Sequence, residues 1–240
     1  MVPRFSGTRP PAQGKLTITR KRDAAPGWLA AWLVVTAAVT PKGERRRCAL
    51  VSAAAELLRE GGFEAVRHRA VARRAGLPLA STTYYFSSLD DLIASAVEYV
   101  GTMEAAQLRS RVASLSRRRR GAESTADVLV DLLVGDSAGG PFSEQLISRY
   151  ERYIACARQP ALRDIQRRMQ RQRVDAVVEA VGRSGRCART ELLTALVCAV
   201  DGAVVSALVD DGNGPRATAK ATLVDVIDIL APVDERAVRV

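Results

Sequence analysis

Residues 69–86 constrain this chain more than any other stretch. They read Arg-Ala-Val-Ala-Arg-Arg-Ala-Gly-Leu-Pro-Leu-Ala-Ser-Thr-Thr-Tyr-Tyr-Phe. Val71 and Ala75 fall on one side of a helical wheel, with Arg69, Arg73 and Arg74 on the other. Gly76 suits a turn, and Pro78 disfavours helix at Leu77, so a further helix is expected from about Leu79. A short basic helix, a glycine turn and a short helix rich in hydroxyls and phenols is a helix-turn-helix layout. Small residues at the start of its last helix permit close approach to a major groove. Ser, Thr and Tyr then supply donors for phosphates and base edges.

The charge distribution points the same way. Of the net +10, residues 1–89 hold 15 Lys/Arg against 5 Asp/Glu, whereas residues 90–240 hold 21 of each. A basic front and a neutral rear suggest a polyanion-binding module joined to something with another task, against the plainer reading of a solvated arginine-rich surface. With 48% hydrophobic and only 5% aromatic residues, and with Ala, Val, Leu and Arg dominant, the chain favours helices and an all-α fold. Cys48, Cys156, Cys187 and Cys198 form no C-x-x-C pair, and His68 is the sole histidine, so zinc or Cys-His chemistry has almost no material. There is also no phosphate-cradling glycine loop, and neither enzyme activity nor a cofactor is expected. Reduced thiols fit a cytoplasmic protein.

Four segments are expected: an extension over 1–41, a DNA-binding domain over 42–88, a helical ligand-binding and dimerisation domain over 89–232, and a tail over 233–240. In the extension, Arg20-Lys21-Arg22 precedes the apolar run Trp28–Val39, which imitates a signal peptide. That run is shorter than the ~20 residues of a membrane span and lacks a cleavage motif, so no membrane role is expected. Val39 is a candidate initiator, which would leave 1–38 outside the native protein; an intact mass that includes Met1 would reject this.

Helical spacing of Leu50, Val51, Ala54, Leu57 and Leu58 predicts a first helix over Glu44–Glu60, ended by Gly61-Gly62, with Phe63 restarting the core. A second helix is expected over Arg67–Ala75. Ser87-Ser88 and Asp90-Asp91 predict the capped start of a long helix over Leu89–Ser114. Arg117–Arg120 reads as a solvated loop, with a DNA-backbone role as the lesser alternative. Helices follow over Ala126–Val134, Ser143–Ala157 and Pro160–Gly182, with a break over Gly135–Pro141. Thr190–Val209 is apolar on nearly every face, and Ala217–Leu230 carries Leu223, Val224, Val226, Ile227, Ile229 and Leu230. Such helices must be buried on several sides, either inside one chain or against their copies in a dimeric four-helix bundle. The dimer is the favoured expectation, because a helix-turn-helix commonly reads two half-sites.

From Lys42 to Val97 the chain resembles the TetR family of bacterial transcriptional regulators. The resemblance rests on Glu60-Gly61-Gly62-Phe63, Ala72-x-x-Ala75-Gly76-Leu77, Tyr84-Tyr85-Phe86 and a Ser-x-x-Asp-Leu helix opening. Beyond Val97 only length and helical content agree. The resemblance implies that Leu79, Ala80 and Ser81 approach base edges. It further implies that Thr83, Tyr84 and Tyr85 contact bases and phosphates, and that Phe86 is a buried lock. Val66-Arg67 stands where the family often has a capping threonine; Leu79 replaces a frequent lysine and Thr83 a frequent tyrosine.

Lys42, Arg45, Arg46, Arg47, Arg67 and Arg69 are expected to neutralise phosphates of double-stranded DNA carrying a palindromic operator. The resemblance implies a small-molecule effector in the rear domain and, as the usual outcome, relief of repression. Met169, Tyr150 and Tyr153 are as readily core as pocket, so no effector residue is named. The competing reading is a helical adaptor with a degenerate DNA-binding domain. A membrane-tethered regulator depends wholly on residues 28–39.

Overall fold

The computed structural model describes residues 41–135, 142–210 and 212–234, with the backbone alone at 142 and 143. The expectations for residues 1–40, for most of the 135–141 break and for residues 235–240 lie outside these residues. Nine α-helices run through the described residues: α1 (Pro41–Ala65), α2 (His68–Arg74), α3 (Ala80–Tyr85), α4 (Leu89–Ser114), α5 (Ala122–Leu133), α6 (Phe142–Arg158), α7 (Pro160–Arg183), α8 (Thr190–Ala207) and α9 (Gly214–Leu230). The fold is all-α, with N-terminal helices ahead of a C-terminal bundle.

α1 buries Leu50, Val51, Ala54 and Leu58 of the stripe read from its spacing, together with Ala53 and Ala55, while Leu57 is half-buried. Its regular part stops at Gly61 and Gly62. Gly62 takes φ 63° and ψ −162°, a conformation open to glycine. A Cβ there would also lie 2.8 Å from Glu151 Oε2 of α6. α4 begins where Ser88 Oγ accepts a hydrogen bond from the Asp91 amide, while Asp91 Oδ2 accepts from the Ser87 amide and hydroxyl. These bonds satisfy amide donors that a helix start leaves open, and they fix the angle at which α3 hands over to α4.

Two apolar cores result. One joins α1, α2 and Phe86 to the first half of α4, and it also takes in Cys156 of α6 and Leu162 and Met169 of α7. The other gathers Val112, α5, Leu146 and the later parts of α7, α8 and α9. α4 and α7 pass through both. Where they cross, a Cβ on Gly101 would lie 2.8 Å from Met169 Cγ, so the absence of a side chain there lets the helices approach. Each fully buried leucine in these cores contributes about 1.5–3 kcal/mol of transfer free energy.

The structure departs from the sequence-based expectations at several places. α5 starts at Ala122 rather than Ala126, because the Gly121 carbonyl accepts both the Thr125 amide and hydroxyl. α9 starts at Gly214, with Pro215 in the first turn, where a missing N–H costs nothing. Arg120 is not solvated: it is 6% exposed and donates to the Arg183 carbonyl, Ser184 Oγ and the Ser116 carbonyl, tying the α4–α5 loop to the end of α7. Arg117, Arg118 and Arg119 are exposed, as expected. Val233 and Asp234 pair with the backbone at Arg186 and Gly185.

Within one protomer α8 buries a single face, formed by Leu193, Leu196, Val197, Val200, Val204 and Ala207. Thr194, Ala195, Cys198, Ala199, Gly202 and Val205 stand exposed on it, so it is not buried on several sides in the single chain. On α9, Ala217, Ala221 and Ile229 are likewise exposed. Among the described residues, α8 is also the one helix long and apolar enough to cross a membrane by length and composition. Leu193, Leu196, Val197, Val200 and Val204 belong to the core that α8 forms with α9 and α7.

Candidate nucleic-acid interface and the cavity behind it

The helix-turn-helix is built from α2, α3 and the five residues 75–79 that join them. Arg67 precedes α2 in extended backbone and offers no side-chain cap, the loss anticipated from its place in the sequence. After α2, the Gly76 amide donates to the Arg73 carbonyl and the Leu77 amide to the Ala72 carbonyl. This is a Schellman closure, and Gly76 occupies its left-handed position at φ 64°. A Cβ at Gly76 would meet nothing within 4 Å, so conformation rather than space favours glycine there.

α3 presents a mixed surface. Tyr84 is 80% exposed, Leu79 is 47% exposed, and Ala80 and Thr83 are exposed as well. Ser81 and Tyr85 are half-buried; Tyr85 packs against the head's core and meets Tyr84 edge-on at 4.8 Å between ring centroids. Thr82, which the sequence did not single out, is fully buried, its hydroxyl donating to the Leu79 carbonyl at 2.8 Å. Phe86 is buried as expected, and the Arg47 guanidinium lies 5.2 Å from its ring centroid. That cation–π contact brings the start of α1 to the end of α3.

The expected phosphate-binding cations differ in how free they are. Lys42, Arg45, Arg46 and Arg69 are exposed, with Arg45 Nε donating to the Pro41 carbonyl. Arg47 is half-buried over Phe86, and Arg67 is ion-paired with Glu64. Arg74, on the same helix as Arg69, donates to both Glu56 and Glu60 of α1 and so clamps α2 to α1. That hydrogen bond holds the Glu60 carboxyl below the ordinary carboxylate value.

Behind the head lies a cavity of about 330 Å³. α1 contributes Ser52, Ala55, Glu56, Leu58 and Arg59 to its wall, and α4 contributes Tyr99, Val100, Met103 and Glu104. The end of α5 and one face of α6 close it, with Arg173 of α7. A molecule inside would touch both the first helix of the head and the helices of the rear bundle.

A polar network flanks the cavity. Arg173, 7% exposed, donates to both carboxylate oxygens of Asp201 at 2.9 Å and to Tyr153 Oη at 2.6 Å. Tyr150 Oη donates to Asp201 Oδ1 at 3.0 Å. Burial and the neighbouring Asp201 carboxylate push the Tyr150 phenol up, so it stays a donor. Met169, by contrast, is core, packed between α7 and α4. Among the described residues, no group of three or more His, Cys, Asp or Glu side chains could hold a metal ion.

Two family models match the chain. Residues 50–96 match one described as bacterial regulatory proteins, tetR family, and residues 120–229 match the tetracyclin repressor-like C-terminal domain. Together they span well over half of the chain. No curated protein matches it. Among solved structures, it is similar to the multidrug binding protein EbrR complexed with proflavin, at 28% identity and TM-score 0.57, over 76% of this chain and 99% of that one. Two others share the fold at lower identity. One is a candidate transcriptional regulator from Saccharomonospora viridis in complex with choline, at 16% identity and TM-score 0.62, over 78% and 98% of the two chains. The other is a TetR transcription regulator from Haloarcula marismortui ATCC 43049, at 18% identity and TM-score 0.61, over 78% and 99%.

Proposed function

The chain belongs to the TetR family of bacterial regulatory proteins, and from that premise we propose that it is a cytoplasmic, ligand-responsive repressor that binds a palindromic operator as a homodimer. In this reading residues 42–88 form the DNA-binding head and residues 89–232 the ligand-binding and dimerisation domain. Leu79, Ala80, Ser81, Thr83, Tyr84 and Tyr85 face the bases and nearby phosphates. Lys42, Arg45, Arg46, Arg47, Arg67 and Arg69 neutralise the backbone, each phosphate contact steepening the salt dependence by about 0.9 in log–log slope. Arg67 must exchange Glu64 for phosphate to take part.

The exposed small and apolar residues of α8 and α9 support a dimer through 190–209 and 217–230. A face of Ala, Cys, Gly and Val lets two helix pairs approach closely. Such a dimer carries two heads into successive major grooves about 34–36 Å apart.

The observation that carries ligand responsiveness is the wall α1 shares with the cavity. A molecule that fits the cavity only when α1 and α4 are displaced favours a head spacing that no longer matches the operator. Equal affinity for both spacings would shift nothing. EbrR, similar at 26–28% identity, has been solved with proflavin, malachite green and ethidium, which supports a small-molecule ligand for this chain.

The test is selection of the full-length protein on random DNA duplexes, with the affinities of recovered sequences followed across salt concentration. Enrichment of a palindrome bound by two protomers is expected. Recovery of no common site from folded protein would reject the repressor reading and favour an adaptor.

A further inference from the structure

We propose that the cavity recognises a small organic anion, a carboxylate or its equivalent on an apolar body, with Arg149 and Arg152 of α6 as the residues that take its charge. This deepens the ligand-responsive reading and rests on it for the consequence to DNA, but not for the binding itself.

The first ground is the imbalance of charge in the wall. Five arginines, at 59, 111, 149, 152 and 173, line the cavity against two glutamates, at 56 and 104. Within the wall and its surroundings most of these are already matched. Arg173 is held by Asp201, Arg152 by Glu104, and Glu56 is turned to Arg74. Arg59, Arg111 and Arg149 are left without an ion pair among the described residues, and of these Arg149 is the one that is not exposed. Among the described residues no carboxylate pairs with it, and its one hydrogen bond is from Nη1 to the Leu133 carbonyl at the end of α5, at 2.7 Å.

The second ground is independent. Arg152 is 4% exposed, and its Nε has no hydrogen-bond partner, although Nη2 donates to both oxygens of Glu104 at 3.0 Å. A buried charge-bearing donor without an acceptor is costly, and an incoming oxygen relieves that cost once Arg152 turns its Nε, which has almost no accessible surface as it stands, toward the cavity. Arg149 and Arg152 stand three residues apart on α6, so they lie on one face, and both line the same space.

Capping α5 explains one nitrogen of Arg149 and leaves the rest of its fork unused. Burial and then the nearby Arg173 work against the charged Arg149, and they outweigh the favourable effect of Glu104, Tyr153 and Tyr150. An anion offsets both, whereas an organic cation would compound them. Part of the remaining wall fits the apolar body: Val100, Met103, Leu108, Leu132 and Leu146 supply it, beside the polar Ser52, Gln107, Gln145 and Ser148. A volume of about 330 Å³ is at the small end for ligand cavities, so the occupant is small.

The experiment is calorimetric titration of the full-length protein with butanoate, octanoate, dodecanoate and 2-naphthoate, and with octan-1-ol and octylammonium as neutral and cationic matches for octanoate. At least one carboxylate is expected to bind, with octanoate at least tenfold tighter than octylammonium. Arg149→Gln is expected to weaken the carboxylate about tenfold, to leave octan-1-ol within twofold, and to keep the wild-type circular dichroism spectrum. Arg149→Lys should restore part of the loss. Binding of no carboxylate, equal or tighter binding of octylammonium, or an unchanged carboxylate affinity in Arg149→Gln would each overturn the proposal. Operator affinity measured without ligand keeps the two readings apart. Loss of sequence-specific DNA binding sinks the repressor and leaves an Arg149-dependent anion site standing.

Discussion

Asp201→Ala tests the account of the polar network at the level of energy. In the native chain one carboxylate accepts two hydrogen bonds from Arg173 and one from Tyr150. Removing it strands a guanidinium that is 7% exposed and a phenol that is partly buried. Breaking a buried pair from one side costs about 3–5 kcal/mol, because an uncompensated charge remains. For a chain of this size each kcal/mol lowers Tm by about 2–4 °C, so the variant should melt about 6–20 °C below the parent. Arg173→Met should cost less, since Asp201 retains 22% side-chain exposure and can recover water. The double variant Arg173→Met/Asp201→Ala should be more stable than Asp201→Ala alone. The assay is urea and thermal unfolding followed by circular dichroism at one fixed protomer concentration, since any dimer makes Tm concentration-dependent. A loss below about 1 kcal/mol for Asp201→Ala, or no recovery in the double variant, refutes the reasoning.

Three further outcomes are expected. The Glu60 carboxyl is held below its ordinary value by Arg74, so its contribution is present above the unfolded pKa and is lost as pH falls through the folded one. The Tm gap between the parent and Glu60→Gln should therefore narrow from about pH 6 to about pH 3, and a gap independent of pH would reject that origin. Cys198 is exposed on α8 and Cys187 is exposed before it, whereas Cys156 is buried. Thiol labelling of the folded protein, read by peptide mass, should modify Cys187 readily and spare Cys198 if α8 faces its copy; equal labelling counts against a dimer through α8. Tyr84→Phe should weaken operator binding by removing one exposed hydroxyl, and unchanged affinity takes Tyr84 out of the interface.

The head was legible in the sequence because its determinants are local. Glycine at the left-handed turn, Pro78 two residues on, and a Ser-x-x-Asp cap each act within a few residues of themselves. The bounds of α4 accordingly coincide with those read from Ser88 and Ser114. The cavity was not legible, since its charges are matched across long separations. Arg173 meets Asp201 and Arg152 meets Glu104. No period or motif announces such pairs. One signal was present and passed over: Arg149-Tyr-Glu-Arg152-Tyr puts cations and phenols together on one helix, which is unusual for a face that only packs. The apolar pattern of α8 predicts burial on several sides, whereas the single chain covers only one face.

The core that runs from α1 through Phe86 into Cys156, Leu162 and Met169 bears on how such regulators can be recombined. A swap of the first 88 residues with those of a relative would cut through that core rather than between two of them. It would mismatch Leu50, Leu58 and Val66 against side chains inherited from the other parent. A working chimera would have to carry the inner faces of α4 and α7 along with the head. By the same logic, drift at Ala55 or Leu58 would reshape the cavity and alter the packing of α1 together, since both residues line the one and belong to the other.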